Sequence, residues 1–284
     1  MSIAVFDIGG SAVKYGLWDE TLTQTSQFPT PETYEEMQKN IKQVVDRFEN
    51  ITGVAISAPG AVNVDERRID GISAVPYIHH RPIYDELEHL LGVPVTIEND
   101  ANCAGICEIG IGAGKGMEHA VFVVIGTGVG GAIFINGKIY KGAHLFGGEF
   151  GLMVNRNGNT LSYNGTAVNT AARFSEKIGE QINGKKLFAR KDAGDPEATA
   201  ALNEMYQNIA ETLYNIQVSI DPQMVIIGGG ISARPELADE IGQRLQALLT
   251  EFGVPSIMPQ ICTCEYQNDA NLIGAALNFK NIHS

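Results

Sequence analysis

Residues 125–140 read IGTGVGGAIFINGKIY, and two folds compete for them. Glycines at this spacing invite a dinucleotide-binding reading, in which a strand, a Gly-rich turn and a helix N-terminus meet a pyrophosphate. That reading needs a helix after the glycines. Instead they lead into an apolar strand, an Asn136–Gly137 pair of the kind that closes two-residue hairpins, and another strand. The stretch is expected to be a glycine-turned hairpin. Consecutive N–H groups without Cβ atoms around them suit an anion, as in other backbone nests.

The N-terminus repeats the pattern. IAVFDIGGSAVKYGLWDE, residues 3–20, is an apolar strand, a Gly9–Gly10 turn and a returning strand. A polar loop is expected after it. PETYEEMQKNIKQVVDRFEN then carries Tyr34, Met37, Ile41, Val44, Val45 and Phe48 at helical spacing. ITGVAISAPGAV is a buried strand ending at Pro59 and Gly60, PIYDELEHLLG a short helix stopped by Gly92, and VPVTIE a strand. Beyond residue 119 come the hairpin, helices over TAVNTAARFSEKIGEQI and ALNEMYQNIAETLYNIQVSI, the strand MVIIGGG, and a helix with Pro235 near its first turn. SIMPQICTCEY is the last strand and DANLIGAALNFK the terminal helix. Two similar α/β halves result, residues 1–117 and 118–268, facing each other across a cleft.

Composition narrows the function. Of 284 residues 44% are hydrophobic and 19% charged, as in a packed globular protein, and the net charge of −13 opposes binding to a nucleic-acid backbone. No apolar run approaches membrane-spanning length, the first residues lack the form of a signal peptide, and four cysteines suit a reducing, cytoplasmic setting.

Polar residues concentrate at a few turns. VTIENDANCAGICEIG, residues 95–110, places Glu98, Asn99 and Asp100 where an apolar strand meets an apolar helix. Asp there serves as an N-cap, as a base, or as both. Two glycine turns, with Gly9 and Gly10 in one and Gly126, Thr127 and Gly128 in the other, would clasp a polyphosphate, and each alone is equally an ordinary hairpin. Asp7 could hold Mg²⁺ directly or through water, and Lys14 or Thr127 could contact phosphate. In IIGGGIS, Gly228, Gly229 and Gly230 offer bare backbone to a nucleoside.

The motifs DIGGSAVK, SAPGAV, ENDANC, IGTGVGG, GGEFG and IIGGGIS occur in the order found in the ROK family, which this chain resembles over nearly its whole length. The resemblance implies two α/β domains of the actin/hexokinase/Hsp70 type with an interdomain cleft. It implies ATP with Mg²⁺, an adenosine motif at residues 226–232, a sugar as partner, and commonly a homodimer. The terminal helix, about 269–282, would pack back onto the N-terminal domain. Phosphoryl transfer to a sugar hydroxyl needs an aligned base. Asp100 matches the family's base, Asn99 would hold a neighbouring hydroxyl, and Glu149 matches a sugar-binding Glu, although a Glu among glycines is also readable as a loop charge. Pro59 and Gly60 would shape the sugar-site floor, GISAVPYI (71–78) would lie over it, and Glu98 is left supporting or structural.

The chain also departs from the family pattern. Many members carry a His three residues after that Glu, then a Cys-rich zinc motif and a second sugar-binding Glu. Here the position is Leu152, and residues 155–174 contain no Cys or His. Zinc needs about four N/S ligands, so no zinc site is expected there, and Cys103, Cys107, Cys262 and Cys264 read as small buried residues. This matches a zinc-free subgroup that includes β-glucoside kinases, with N-acetylmannosamine kinases as the alternative. A ROK-type sugar-sensing regulator is less favoured: the first strand starts near residue 3, leaving no helix-turn-helix, and the base is present. The resulting expectation is an ATP-dependent kinase acting on the 6-hydroxyl of a hexose or β-glucoside.

Overall fold

The computed structural model describes residues 2–155 and 158–283. Contacts divide the chain into two compact units, Met1–Gly112 with Lys141–Phe146 and Asn268–Ser284, and Ala113–Tyr140 with Gly147–Gln267.

In the first unit β1 (Ile3–Ile8), β2 (Ala12–Asp19) and β3 (Thr21–Pro29) form an antiparallel meander. After α1 (Tyr34–Val45) come β4 (Gly53–Ala58), the small β5 (Ala61–Asn63)–β6 (Arg68–Asp70) ribbon, α2 (Ile83–Leu91), β7 (Val95–Asn99) and α3 (Asp100–Gly110). The sheet order is β3-β2-β1-β4-β7, with β1, β4 and β7 parallel. All six residues of β4 are buried, as a parallel strand covered on both faces requires. Alternate strand residues, such as Phe6, Val54 and Ile56, join the core formed with Met37, Ile41 and Leu87 of α1 and α2. α1 starts where the predicted period does, with Thr33 capping the Glu36 N–H at 3.3 Å.

The second unit repeats this order. β8 (Ala120–Ile125), β9 (Val129–Ile135) and β10 (Lys138–Ile139) are antiparallel, and the Asn136–Gly137 turn has φ of 54° and 69°, as a type I′ hairpin needs. Helices α4 (Leu161–Asn164), α5 (Ala167–Ile178), α6 (Gly184–Asp192) and α7 (Pro196–Ile220) lead to β11 (Met224–Gly228), α8 (Leu237–Glu251) and β12 (Gln260–Thr263). The sheet order β10-β9-β8-β11-β12 matches the first position for position, with β8, β11 and β12 parallel. The repeat inferred from two glycine hairpins is therefore a repeat of topology. α9 (Ala270–His283) belongs to the first unit and packs on α3, β1 and β4. A Cβ on Gly53 would stand 2.1 Å from Phe279 Cζ, and one on Gly274 would stand 1.7 Å from Cys103 O, so glycine sets both approaches.

Three readings need correction, and one helix, α6, is not foreseen in the sequence. The expected polar loop after residue 20 is β3, an edge strand held by backbone pairing to β2 while its Thr, Gln and Ser side chains face solvent. α6 has no apolar period to read, since only the adjacent Leu187 and Phe188 are buried; Asn183 caps it. Pro235 precedes α8 and lies outside its first turn. Cys262 is half-buried on the edge strand β12, whereas the other three cysteines are buried. Among the described residues no helix is long and apolar enough to cross a membrane.

Candidate functional site

The three polar residues at the β7–α3 corner have separate roles. Glu98 is the buried one, 4% exposed. Its Oε1 accepts from the Asn99 N–H at 2.8 Å and from Asn102 Nδ2 at 2.9 Å, and its Oε2 pairs with Lys141 Nζ at 2.9 Å. Asn99 is the N-cap: its Oδ1 accepts from the Asn102 N–H at 3.1 Å while its Nδ2 donates to Gly60 O at 3.0 Å. The sequence offers Asp100 for that capping role. The chain is still extended at Asn99 (ψ 146°) and turns helical only at Asp100, so the cap falls one residue earlier. Asp100 opens the helix, half-buried, with Oδ1 accepting from the Ala101 N–H at 2.8 Å. A carboxylate in a first turn is favoured by the helix dipole. Burial, and then the Glu98, Asp7 and Asp100 carboxylates, push the neighbouring Cys103 thiol well up, which keeps it an unreactive thiol.

Asp7 stands opposite Lys14 and Ser57 in the sheet register, near the C-terminal end of β1. Its Oδ1 accepts from Ser57 Oγ at 2.7 Å and from Asn271 Nδ2 at 3.0 Å, which fixes the carboxylate's direction. Lys14 Nζ donates to Asn268 O at 3.4 Å. In the adjoining turn the Gly9 N–H donates to Ala12 O at 3.1 Å, so Gly10 is the exposed glycine of the pair. Gly10 abuts the 71–78 loop: a Cβ there would meet Ala74 Cβ at 2.8 Å. At the end of β4, Pro59 and Gly60 are half-buried, and Gly60 has φ +107° and lies against His79. Ser73 Oγ holds His79 Nε2 at 2.7 Å, anchoring that loop beside Gly60. Asn99, Gly60 and the 71–78 loop are thus joined, at the strand ends where open α/β sheets bind ligands.

In the second unit the two glycine clusters lie side by side, at the ends of the parallel neighbours β8 and β11. Gly229, at φ +86°, crosses so close to Ile125 that a Cβ would lie 2.2 Å from its carbonyl oxygen. Gly126 and Gly230, by contrast, face open space, and Thr127 and Gly128 are exposed. The Gly126 N–H closes its own turn on Gly128 O at 2.9 Å, as Gly9 does in the first. The glycines around Glu149 exist for packing. A Cβ on Gly151 would stand 2.0 Å from Val129 O and one on Gly148 2.5 Å from Gly131 O, so the GGEFG loop is braced on β9. Ser162 Oγ accepts from the Val129 N–H at 3.0 Å. Glu149 is exposed by area, yet the protein around its carboxyl raises its pKa through desolvation. Leu152, ending the same short helical turn, is 58% exposed.

Sequence reasoning missed Ser57, Lys141, Asn271 and Ser162. Ser57, polar within a fully buried strand, was visible in AISAPG. The others had no local signal. Among the described residues no group of three or more His, Cys, Asp or Glu side chains is placed to cage a metal. Mg²⁺ does not need such a cage, since one or two carboxylates plus substrate phosphates commonly hold it, and an oriented Asp7 fits that mode.

The family model described as ROK family matches residues 3–282. The chain belongs to the ROK family. A β-glucoside kinase of Listeria innocua is 33% identical, with 98% of this chain and 97% of that protein covered. A ROK family protein of Streptococcus pneumoniae, solved in complex with sucrose, superposes at TM-score 0.93 with 36% identity over 100% of this chain and 99% of that one. A ROK family glucokinase of Streptomyces griseus, solved with glucose and AMPPNP, gives TM-score 0.81 and 26% identity, covering 97% and 98% of the two chains. By this kinship the ROK protein is a carbohydrate kinase with the actin/hexokinase-like fold.

Proposed function

We propose that this kinase transfers the γ-phosphoryl group of ATP to the 6-hydroxyl of a β-glucoside or hexose, with Asp100 as general base. The division of labour at the β7–α3 corner carries this reading: Asn99 caps the helix and Glu98 is buried in an ion pair, so capping does not account for Asp100. Asp100 would accept the hydroxyl proton as the oxygen attacks phosphorus. Asn99 keeps a second Nδ2–H and a second Oδ1 lone pair for a neighbouring hydroxyl. Pro59 and Gly60 floor the sugar site, and Glu149 accepts from further hydroxyls. Gly10, Gly126, Thr127, Gly128 and Lys14 receive the phosphates, and Gly230 receives the nucleoside. Mg²⁺, with Asp7 reaching it through water, would offset the phosphate charge.

Two observations favour a glycoside acceptor. The Listeria relative is a β-glucoside kinase, and the Streptococcus relative was solved with a disaccharide. In zinc-containing kinases that this chain resembles, the His at the position of Leu152 contacts the sugar near its reducing end; Leu152 cannot hydrogen-bond a free anomeric hydroxyl, a loss of about 0.5–1.5 kcal/mol. Covering about 40 Å² of an aglycone at roughly 25 cal/mol per Å² recovers about 1 kcal/mol. A coupled assay over glucose, fructose, N-acetylmannosamine, cellobiose and phenyl β-glucoside tests this. The glucosides should match or exceed glucose in kcat/KM; preference for N-acetylmannosamine with no glucoside turnover would replace the acceptor assignment.

A further inference from the structure

Glu98 and Lys141 form a largely enclosed ion pair beside the corner, their side chains being 5% and 18% exposed. A buried ion pair is weak evidence for stability, because desolvation offsets much of the attraction. What distinguishes this one is its set of partners. One oxygen of Glu98 holds the Asn99 N–H and the Asn102 amide, the two groups on either side of Asp100 in the chain. The other oxygen is held by Lys141, whose Nζ also donates to Val62 O at 3.0 Å, in β5 just past Gly60. Asn99 closes the circuit on Gly60 O. Of the groups flanking Asp100, the Asn99 N–H and the Asn102 side-chain amide are thus held by a single carboxylate that is itself held by Lys141. Lys141 opens Lys141–Phe146, a segment of the first unit whose chain neighbours on both sides belong to the second, and Glu149 lies three residues beyond it.

We infer that Glu98 and Lys141 are positioning residues for phosphoryl transfer. They hold the Asn99 backbone N–H and the Asn102 side chain, and with them the start of the helix at Asp100, without touching substrate. This rests on the assignment of Asp100 as base. In Lys141→Met the buried Glu98 carboxylate loses its counter-charge and the bond that fixes its Oε2, which loosens its hold on the Asn99 N–H and the Asn102 amide. Lys141→Arg restores the charge and a donor.

The test is steady-state kinetics with isothermal titration of the intact protein, using glucose or the best acceptor from the panel and AMPPNP. The titration stoichiometry gives the competent fraction, so a loss of folded protein is not read as a loss of kcat. Lys141→Met should lower kcat per competent site at least 10-fold and weaken acceptor binding, with the AMPPNP Kd unchanged because its glycines lie elsewhere. Lys141→Arg should recover most of the kcat. Should Lys141→Met fail to fold, Glu98→Gln, which keeps the volume and places an amide against Lys141, should show the same split. Wild-type turnover per competent site in either variant overturns the inference, as does an equal loss of acceptor and nucleotide affinity. Asp100→Asn serves as the reference: if that variant keeps full turnover, the base assignment has failed, whereas an inactive Asp100→Asn beside a fully active Lys141→Met fails the positioning role alone.

Discussion

Asn99 and Asp100 are adjacent in sequence, yet the structure gives them different sensitivities. Replacing Asn99 by Ala removes the cap on the Asn102 N–H and the bond to Gly60 O. A cap costs about 1 kcal/mol and a hydrogen bond about another, so a loss of about 2 kcal/mol is expected. For a protein of this size that lowers the melting midpoint by roughly 4–8 °C. Replacing Asp100 by Asn keeps the acceptor for the Ala101 N–H at equal volume and removes the charge favoured by the helix dipole, so stability should fall by about 1 kcal/mol at most. Activity should separate them differently: Asn99→Ala should chiefly weaken acceptor binding, whereas Asp100→Asn should chiefly lower kcat. Loss of a positioned base lowers kcat by about 10² to 10⁴, and acceptor binding should survive. Thermal unfolding and coupled kinetics on both variants, read together, decide the matter. A destabilised Asp100→Asn with normal turnover per folded molecule would make Asp100 a structural residue and refute the reasoning.

Gly229 and Gly230 should also separate. Gly229→Ala forces a Cβ against Ile125 O at positive φ and should destabilise the second unit, whereas Gly230→Ala meets no protein atom and should fold normally. If a nucleoside lies on that backbone, Gly230→Ala weakens AMPPNP binding in a titration; unchanged affinity would move the nucleoside elsewhere. Glu149 gives a pH dependence whose sign is set by its raised pKa. As pH falls, the carboxylate protonates before an ordinary Glu, so acceptor affinity should begin to drop above pH 4.5, and Glu149→Gln should abolish that limb. The same shift means that stability is lost, not gained, as pH rises through the Glu149 pKa. Chemical denaturation of Glu149→Gln beside the wild type should show that slope removed.

Local chemistry alone determined a good deal about this protein. Glycine-turned hairpins, Asn136–Gly137, helical periods such as that of α1 and the order of six short motifs depend on neighbours within a few residues. They sufficed for two repeated α/β halves, and the order of the six motifs carried the resemblance to the ROK family. They failed where the deciding partner is far away in the chain. β3 has the composition of a loop and is a strand because β2 supplies its hydrogen bonds. Nothing near Asp7 announces Asn271, 264 residues distant, and nothing near Glu98 announces Lys141. The family resemblance gave the three polar side chains of ENDANC their expected roles, but the local sequence could not show which of them caps the helix and which is buried. That was settled by where the backbone turns helical, one residue earlier for the cap than composition suggests, and by which carboxylate the fold encloses with a lysine. Burying a charge is costly without a counter-charge, so tertiary packing, not the local sequence, chose Glu98 for the interior and left Asp100 half-exposed at the helix start.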